Sequence, residues 1–349
     1  MSDSSGDPPD PSPAESGEPL GRRDAAKTRR EGADPEGGSH FPSQVRAARN
    51  DLENQIAHAR AEFDEANARI KQRTGRNLIL AVLIGLTLGA VLISSLIFVK
   101  WLFVVFALAA SVLGLFEFGR ALTASGRKVD LVPQIGVGVL LVLAGYFLDP
   151  WLHWVATFVA VAFVIVWRLI AQMATRDGRT YGAVLSDVLV AGFAQLYMPF
   201  LGGLCLVVLR QDGGEWWVLA FIVTAVAADT GAYATGLAFG KHPMAPKISP
   251  KKTWEGFAGA AAAALLAGLL LGLFMIGLPW WAGLIFGAVI LITATVGDLA
   301  ESMIKRDLGI KDMSSWLPGH GGVLDRLDSI LLSVIATLAL YYLFIPLVA

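Results

Sequence analysis

The chain has 349 residues, of which 55% are hydrophobic and 16% are charged, and its formal net charge at pH 7 is -1. Such an apolar composition excludes an ordinary soluble globular domain and is typical of an integral membrane protein that crosses the bilayer several times. The single cysteine, Cys205, excludes a disulfide within the chain.

The N-terminal region is polar and divides into two parts. Residues 1–42 are rich in Pro, Gly, Ser and charged side chains, which predicts a disordered tail. Residues 43–76 contain good helix formers with apolar residues loosely on one face, which predicts a charged amphipathic helix leading into the membrane. Two interpretations of this helix stay open: a solvated spacer, which the broken apolar stripe favours, and a membrane-surface or partner-binding helix.

Nine apolar segments follow, each long enough or nearly long enough to cross about 30 Å of hydrocarbon as a helix. We therefore predict an all-α polytopic integral membrane protein with about nine transmembrane helices, grouped into residues 77–215 and residues 216–349. The segments cover residues 78–97, 101–119, 131–148, 151–172, 184–209, 216–239, 255–278, 280–297 and 328–348.

The distribution of basic residues among the loops predicts the orientation. With a cytoplasmic N-terminus and nine spans, fourteen Lys and Arg residues lie inside and two, Lys100 and Arg210, lie outside. Such a bias is the usual pattern for cytoplasmic loops. It places two polar loops, residues 240–254 and 298–327, on the cytoplasmic side.

A carboxylate lies inside the sixth apolar segment. A charged side chain in the middle of a span costs about 2.5–3.5 kcal/mol on insertion scales, so Asp229 is expected to face a polar interior or a partner. The glycines that follow it, Gly231, Gly236 and Gly240, are equally well explained by close helix packing.

A basic loop follows at residues 241–256, with four lysines and one glutamate. Its three prolines favour an extended backbone and prevent either neighbouring helix from continuing. Thr253 is placed to begin the next helix, whose positive end suits phosphate oxygens. The alternative is an ordinary basic anchor against lipid headgroups.

The loop between the last two spans is acidic. Asp298, Glu301 and Ser302 share one face of a helix by their spacing, and Asp325 and Asp328 repeat the i, i+3 spacing where the last span begins. Carboxylates on two helix ends at the membrane surface predict a divalent-cation site, and oxygen ligands suit Mg²⁺, with one ion or two. The alternative is a solvated loop with scattered charges.

A glycine-rich turn lies within the acidic loop. Gly321 and Gly322 follow His320, and their backbone N–H groups are suited to approach an anion. His320 is either a simple turn residue or a donor to phosphate, and metal ligation is the weaker option because Mg²⁺ prefers oxygen. A basic loop facing an acidic loop predicts phosphoryl or nucleotidyl transfer to a lipid at headgroup level.

Together these residues resemble the signature of the phosphatidate cytidylyltransferase (CDP-diacylglycerol synthase) family. The likeness covers approximately the last 130 residues; residues 77–215 resemble the family mainly in hydropathy, and residues 1–76 are not covered. The matching positions are Asp229 to Tyr233 (DTGAY), Lys247 to Gly256 (KISPKKTWEG), Ser302, Lys305-Arg306, Lys311-Asp312, Pro318, His320-Gly321-Gly322, Asp325-Arg326 and Asp328.

The resemblance implies Mg²⁺-dependent transfer of CMP from CTP to phosphatidic acid, with release of pyrophosphate. It implies Asp298 and Asp325 as primary metal ligands and His320 as an orienting donor. Asp328 and Asp229 are candidates to support these ligands or to bind a second metal, and Asp229 is also a candidate substrate-binding residue. The expected phosphate-binding and substrate-binding residues are Lys247, Ser249, Lys251, Lys252, Thr253, Ser302, Lys305, Gly321, Gly322 and Arg326.

The expected partners are CTP, phosphatidic acid, membrane lipids and a second copy of the chain, with no nucleic acid. The expected location is the inner or plasma membrane if the source is bacterial, with the N-terminus and the site in the cytoplasm. Alternatives are a CTP-dependent lipid kinase and an ion-coupled transporter. A CDP-alcohol phosphotransferase is disfavoured because its D-G-x2-A-R run is absent.

Overall fold

A computed structural model describes residues 78–348 except residues 176, 315 and 317–320, together with residues 54, 55, 57, 58, 60 and 65. The predicted tail, residues 1–42, and nearly all of the predicted amphipathic helix, residues 43–76, lie outside the described residues. All elements discussed below belong to the compact unit Glu65–Ala349. The division of this unit near residue 215 stays a prediction.

Nine helices make up most of the described chain, and each coincides with one predicted apolar segment. The helices are α1 Leu78–Phe98, α2 Lys100–Ala124, α3 Leu131–Phe147, α4 Pro150–Ala174, α5 Tyr181–Leu209, α6 Gly214–Phe239, α7 Trp254–Ile276, α8 Trp280–Asp307 and α9 Leu324–Phe344. A short 3-10 turn, Ile345–Leu347, follows α9.

Seven of the helices in the described residues are long and apolar enough to cross a membrane. The other two, α3 with 17 residues and the stretch Gly85–Phe98 of α1, are apolar but shorter. The predicted class, an all-α membrane protein, is confirmed, whereas the count of nine spans stays a prediction.

One small β-hairpin departs from the all-α prediction. Strands β1, Pro243–Ala245, and β2, Ser249–Thr253, pair antiparallel between α6 and α7. Proline fixes φ and lacks an N–H, so this stretch is unable to extend either helix. The Thr253 side chain then accepts a hydrogen bond from Gly256 N, which caps α7 at the position the sequence predicts.

Close backbone approach holds α6, α7 and α8 together. A Cβ added at Gly231 would lie 2.6 Å from the Gly259 oxygen, and one at Gly268 would lie 2.5 Å from the Gly287 Cα. Only small residues allow helices to approach so closely, which is the usual way that helices associate in membranes. The packing interpretation of Gly231 is confirmed.

The fifth helix runs through the centre of the protein and contains a π-helical turn. Thr180 caps its start by accepting a hydrogen bond from Ala183 N. The π turn, Leu196–Phe200, contains Pro199, whose ring and missing N–H prevent regular α-helical hydrogen bonding. The side chain of Tyr197, within this turn, is buried.

Candidate active site

The basic hairpin and the acidic end of α8 are in direct contact. Lys252, on β2, donates a hydrogen bond and forms an ion pair with Asp298 Oδ2. The Ser302 hydroxyl donates to the other Asp298 oxygen at 3.5 Å. Both side chains of the ion pair are about one-quarter exposed, so the pair lies at the edge of the protein interior. The structure thus joins the two oppositely charged loops of the sequence.

Carboxylates from three helices surround this ion pair. Ser329 on α9 donates a 2.9 Å hydrogen bond to Asp229 Oδ2 on α6. The neighbouring Asp328 on α9 accepts a hydrogen bond from Ser329 N at 2.7 Å. A Cβ at Gly297 would overlap the backbone oxygen of Asp328, so a residue without a side chain is needed where α8 and α9 cross. The result is a negatively charged region with Lys252 as its nearest described cation partner.

Asp325 belongs to a neighbouring but different set of contacts. Its buried carboxylate accepts hydrogen bonds from Gly322 N at 2.7 Å, Met313 N at 3.0 Å and Lys305 Nζ at 2.9 Å. Lys305 also pairs with Glu301 at 2.5 Å, one helical turn earlier. The two predicted metal ligands, Asp298 and Asp325, therefore contact different lysines.

The carboxylates of the site provide oxygen ligands of the kind that Mg²⁺ requires. Within the described part of the chain, no group of three or more His, Cys, Asp and Glu side chains is placed to hold a metal. Mg²⁺ commonly binds through one or two carboxylates plus substrate phosphates, without a complete protein cage. The carboxylates around Asp298 fit an ion that binds together with a nucleotide.

The hairpin is fixed to its surroundings at both ends. Arg306, near the end of α8, donates a 3.2 Å hydrogen bond to the Ile248 carbonyl oxygen. Glu255 accepts hydrogen bonds from Lys241 N and His242 N at 3.1 and 3.2 Å. Because of these contacts, the hairpin presents its lysines next to α8.

The remaining predicted residues fall into three groups. Lys247, Lys251 and Arg326 are exposed, and Ser249 is half-buried on β2 opposite Ala245. Gly321 has a positive φ of +83°, and Gly322 is buried. His320 lies outside the described residues, so its predicted role stays a prediction.

Glu117 on α2 is a site residue that the sequence interpretation missed. Its carboxylate is 2% exposed and accepts hydrogen bonds from Ser314 Oγ at 2.6 Å, Val323 N at 3.0 Å and Leu324 N at 3.0 Å. One signal was available in the sequence: Glu117 is the only acidic residue in the apolar segment 101–119. A carboxylate in such a segment requires polar partners.

Tyr197 on α5 carries a buried polar group. Its ring packs against Phe118 of α2, with centroids 6.1 Å apart. The hydroxyl is buried and has no hydrogen-bond partner among the described residues. A buried phenol normally finds a partner, so this hydroxyl is an unusual feature of the core.

A separate polar network lies away from these residues, where α2, α4 and α5 come together. The fully buried Asp187 accepts hydrogen bonds from Lys128 N at 3.0 Å, Arg179 at 2.9 Å and Arg168 at 3.4 Å. Arg168 is itself 2% exposed. Asp187 and Arg168 bond to residues of α4, of α5 and of the loops before α3 and α5.

Most of the chain is similar to known proteins. The model of the cytidylyltransferase family matches residues 79–344. A protein of Mycobacterium bovis (strain ATCC BAA-935 / AF2122/97) named phosphatidate cytidylyltransferase is 38% identical over 277 residues, which is 76% of this chain and 88% of that protein. Proteins of the same name from Mycobacterium leprae (strain TN) and Brucella suis biovar 1 (strain 1330) are 35% and 34% identical, over 75% and 64% of this chain and 87% and 74% of their own lengths.

Proposed function

The chain belongs to the cytidylyltransferase family, and we propose that it is a phosphatidate cytidylyltransferase. It transfers the CMP group of CTP to phosphatidic acid, which gives CDP-diacylglycerol and pyrophosphate. The structural observation that carries this proposal is the contact between Lys252 of the basic hairpin and Asp298 of α8. That contact brings a phosphate-binding surface to a cluster of carboxylates at helix ends.

The reaction is a direct displacement at phosphorus. An oxygen of the phosphatidate headgroup forms a bond to the α-phosphorus of CTP, and the bond from that phosphorus to the bridging oxygen of the β-phosphate breaks. The bonding electrons leave with pyrophosphate. Phosphatidate is already an anion at neutral pH, so no covalent enzyme intermediate is required. The protein has to position two anions and offset their repulsion.

The cationic side chains are assigned to bind the triphosphate of CTP and the phosphate of the lipid. Lys252 is closest to the acidic residues, and the exposed Lys247 and Lys251 extend the same basic surface. Lysine is a compact charge that binds phosphate without demanding one geometry. We assign these three to the triphosphate, and Lys305 and Arg326 to the phosphate of the lipid or of the nucleotide.

Hydroxyl and backbone groups complete the binding surface. The Thr253 hydroxyl accepts the Gly256 N–H, and its own proton remains available to donate to a phosphate oxygen. Ser249 and Ser302 are assigned the same donor role. Gly321 precedes α9 and is assigned as a backbone N–H donor to phosphate, whereas the Gly322 N–H already donates to Asp325.

Asp298 is the proposed principal ligand for Mg²⁺. Its neighbours Asp328 and Asp229 are the nearest candidates to assist, whereas Asp325 already accepts hydrogen bonds from Lys305 and two backbone N–H groups. These contacts favour Asp328 over Asp325 as the partner of Asp298. Bound Mg²⁺ would supply positive charge that offsets the repulsion between the two phosphates.

The contact of Lys252 with Asp298 has a further part in binding. When neither nucleotide nor cation is bound, the ammonium group neutralises the carboxylate. With a nucleotide bound, Asp298 would hold the accompanying cation, which would supply positive charge there, and the Lys252 ammonium would bind the triphosphate.

The proposed setting is a membrane protein with its site at the cytoplasmic surface. The loops that carry the site also carry the excess of Lys and Arg that marks cytoplasmic loops. CTP is a soluble, highly charged substrate and reaches the site from water, whereas phosphatidic acid reaches it from the lipid. A homodimer in the bacterial inner membrane is part of the same proposal.

Purified protein in detergent tests the proposed reaction. It is incubated with phosphatidic acid, Mg²⁺ and CTP that is radiolabelled at either the α-phosphate or the γ-phosphate. Lipid-linked label from the α-position alone is expected. Label transferred from the γ-position would identify a lipid kinase, and a lack of transfer from either position would favour a transporter.

A further inference from the structure

Glu117 ties α2 to the start of α9 across the molecule. Its Oε1 accepts from Ser314 Oγ at 2.6 Å and from Val323 N at 3.0 Å, and its Oε2 accepts from Leu324 N at 3.0 Å. All three donors lie in the segment that leads from the acidic loop into α9. One side chain of the N-terminal half therefore holds three groups of the C-terminal half.

The Glu117 carboxylate caps the start of α9, where the local sequence provides no capping side chain. The first N–H groups of a helix have no partner within it, and a side chain at the N-cap position commonly accepts from them. The N-cap residue of α9 is Val323, which has no side-chain acceptor. Glu117 replaces the missing cap from another helix, and its negative charge is favourable at a helix N-terminus.

The Glu117 carboxylate also packs closely against the backbone of this turn. A Cβ at Gly322 would lie 2.6 Å from Glu117 Oε2, so the carboxylate fits directly against the glycine backbone. A second contact supports the first, because the rings of Phe116 and Trp316 stack with centroids 5.4 Å apart. The acidic loop is thus attached to α2 on both sides of its undescribed residues 317–320.

The start of α9 carries two acidic residues of the candidate site. Asp325, which holds Lys305, follows Leu324 directly, and Asp328, proposed to assist the metal ligand Asp298, lies one turn later, where its backbone oxygen faces Gly297 of α8. The position of the helix start therefore sets where both carboxylates lie. A displacement of about 1 Å in such groups is enough to cost roughly a hundredfold in rate.

We propose that Glu117 is a positioning residue for cytidylyl transfer: it fixes the N-terminus of α9 and thereby the carboxylates of Asp325 and Asp328. The inference rests on the proposed function. It also assigns a specific task in the reaction to α2, a helix outside the region that carries the family signature.

The experiment compares Glu117→Gln with wild type in purified, detergent-solubilised protein. Glutamine keeps the size and one oxygen acceptor, but it loses the charge and turns an NH₂ group towards N–H donors. We expect kcat for formation of CDP-diacylglycerol to fall at least about tenfold, while KM for CTP changes less than about threefold. Glu117→Asp, which keeps the charge one methylene shorter, is expected to recover part of the lost kcat.

A matched variant separates positioning from simple stability. Asp187→Asn makes the same carboxylate-to-amide change at a buried group with three hydrogen-bond donors, away from the site. Thermal unfolding of both variants is followed alongside kcat per folded molecule. We expect Asp187→Asn to lower the unfolding temperature and to leave kcat of the folded protein near the wild-type value.

A double-mutant cycle tests whether the contacts act together. Ser314→Ala removes one of the three donors, and its effect on kcat should be much smaller in the Glu117→Gln background than in wild type. Wild-type kcat in folded Glu117→Gln, or an equal loss of kcat in Asp187→Asn, would overturn the proposal. Wild type that forms no CDP-diacylglycerol would instead overturn the proposed function.

Discussion

Lys252 and Asp298 form an ion pair that joins the short β-hairpin to the end of α8. These residues are 46 positions apart, on elements separated by a complete membrane-crossing helix, α7. Lys252 belongs to a positively charged loop, and Asp298 belongs to a negatively charged loop. The pair therefore makes one site out of two loops, and the predictions below begin with it.

Replacement of Lys252 by methionine should weaken nucleotide binding. A hydrogen bond to a charged group contributes about 1.5–3 kcal/mol, so we expect KM for CTP to rise roughly ten- to a hundredfold. Steady-state kinetics with varied CTP measures this change. Lys241→Met, at an exposed lysine that starts the same loop, is the control and should keep KM within about twofold; equal effects of the two changes would contradict a specific role for Lys252.

Replacement of Asp325 by alanine should abolish turnover while the protein still inserts into the membrane. The change removes the acceptor of Lys305 and of two backbone N–H groups. The segment before α9 is then no longer hydrogen-bonded to the first turn of that helix. Activity of the purified variant and its amount in the membrane fraction are measured together. Asp307→Ala, at an exposed acid in the last turn of α8, should remain active. Near-normal activity of Asp325→Ala would remove this residue from the site.

The crossing of α8 and α9 should not tolerate a side chain at Gly297. A methyl group there overlaps the Asp328 backbone oxygen, and overpacking of this kind typically costs about 1–3 kcal/mol. Gly297→Ala is expected to lower both the thermal unfolding temperature and kcat. Gly136→Ala is the matched control, because a Cβ at that helical glycine meets nothing within 4 Å. A stable and fully active Gly297→Ala would show that the two helices are not held so closely.

Removal of divalent cations should stop the reaction. Asp298→Asn should raise the Mg²⁺ concentration that the reaction requires. Transfer is measured with a chelator and then with increasing Mg²⁺, for wild type and the variant. An amide is a weaker ligand than a carboxylate for a hard cation, so the Mg²⁺ concentration for half-maximal rate is expected to rise at least about tenfold in the variant. Undiminished activity in excess chelator would refute the proposed requirement for a metal.

The helices were the part of the fold that the sequence predicted best. Long apolar segments with charged or proline-containing boundaries leave few alternatives in a membrane. The errors lie at polar helix ends: α8 continues to Asp307, ten residues beyond the predicted segment, and α9 begins at Leu324, four residues before it. Hydropathy does not detect helical turns made of charged residues.

The site was predicted in part, and the missing part depends on distant contacts. Opposite charges of two loops indicated that the regions of Lys252 and Asp298 would meet. No local pattern shows that Asp325 would bind Lys305, or that Glu117 would reach Val323 across 206 residues. The hairpin was also missed, because its prolines indicated only an extended backbone and not a paired one.

The length of α8 determines the level at which the two substrates meet. Its 28 residues extend about 42 Å at 1.5 Å per residue, whereas the hydrocarbon layer is about 30 Å thick. With Trp280 at one interface, Asp298 reaches the opposite interface and the last turns project into water. In the proposed reaction this length lets the diacylglycerol tail stay dissolved in lipid while the nucleotide stays hydrated, so that neither partner has to cross the boundary between the two phases.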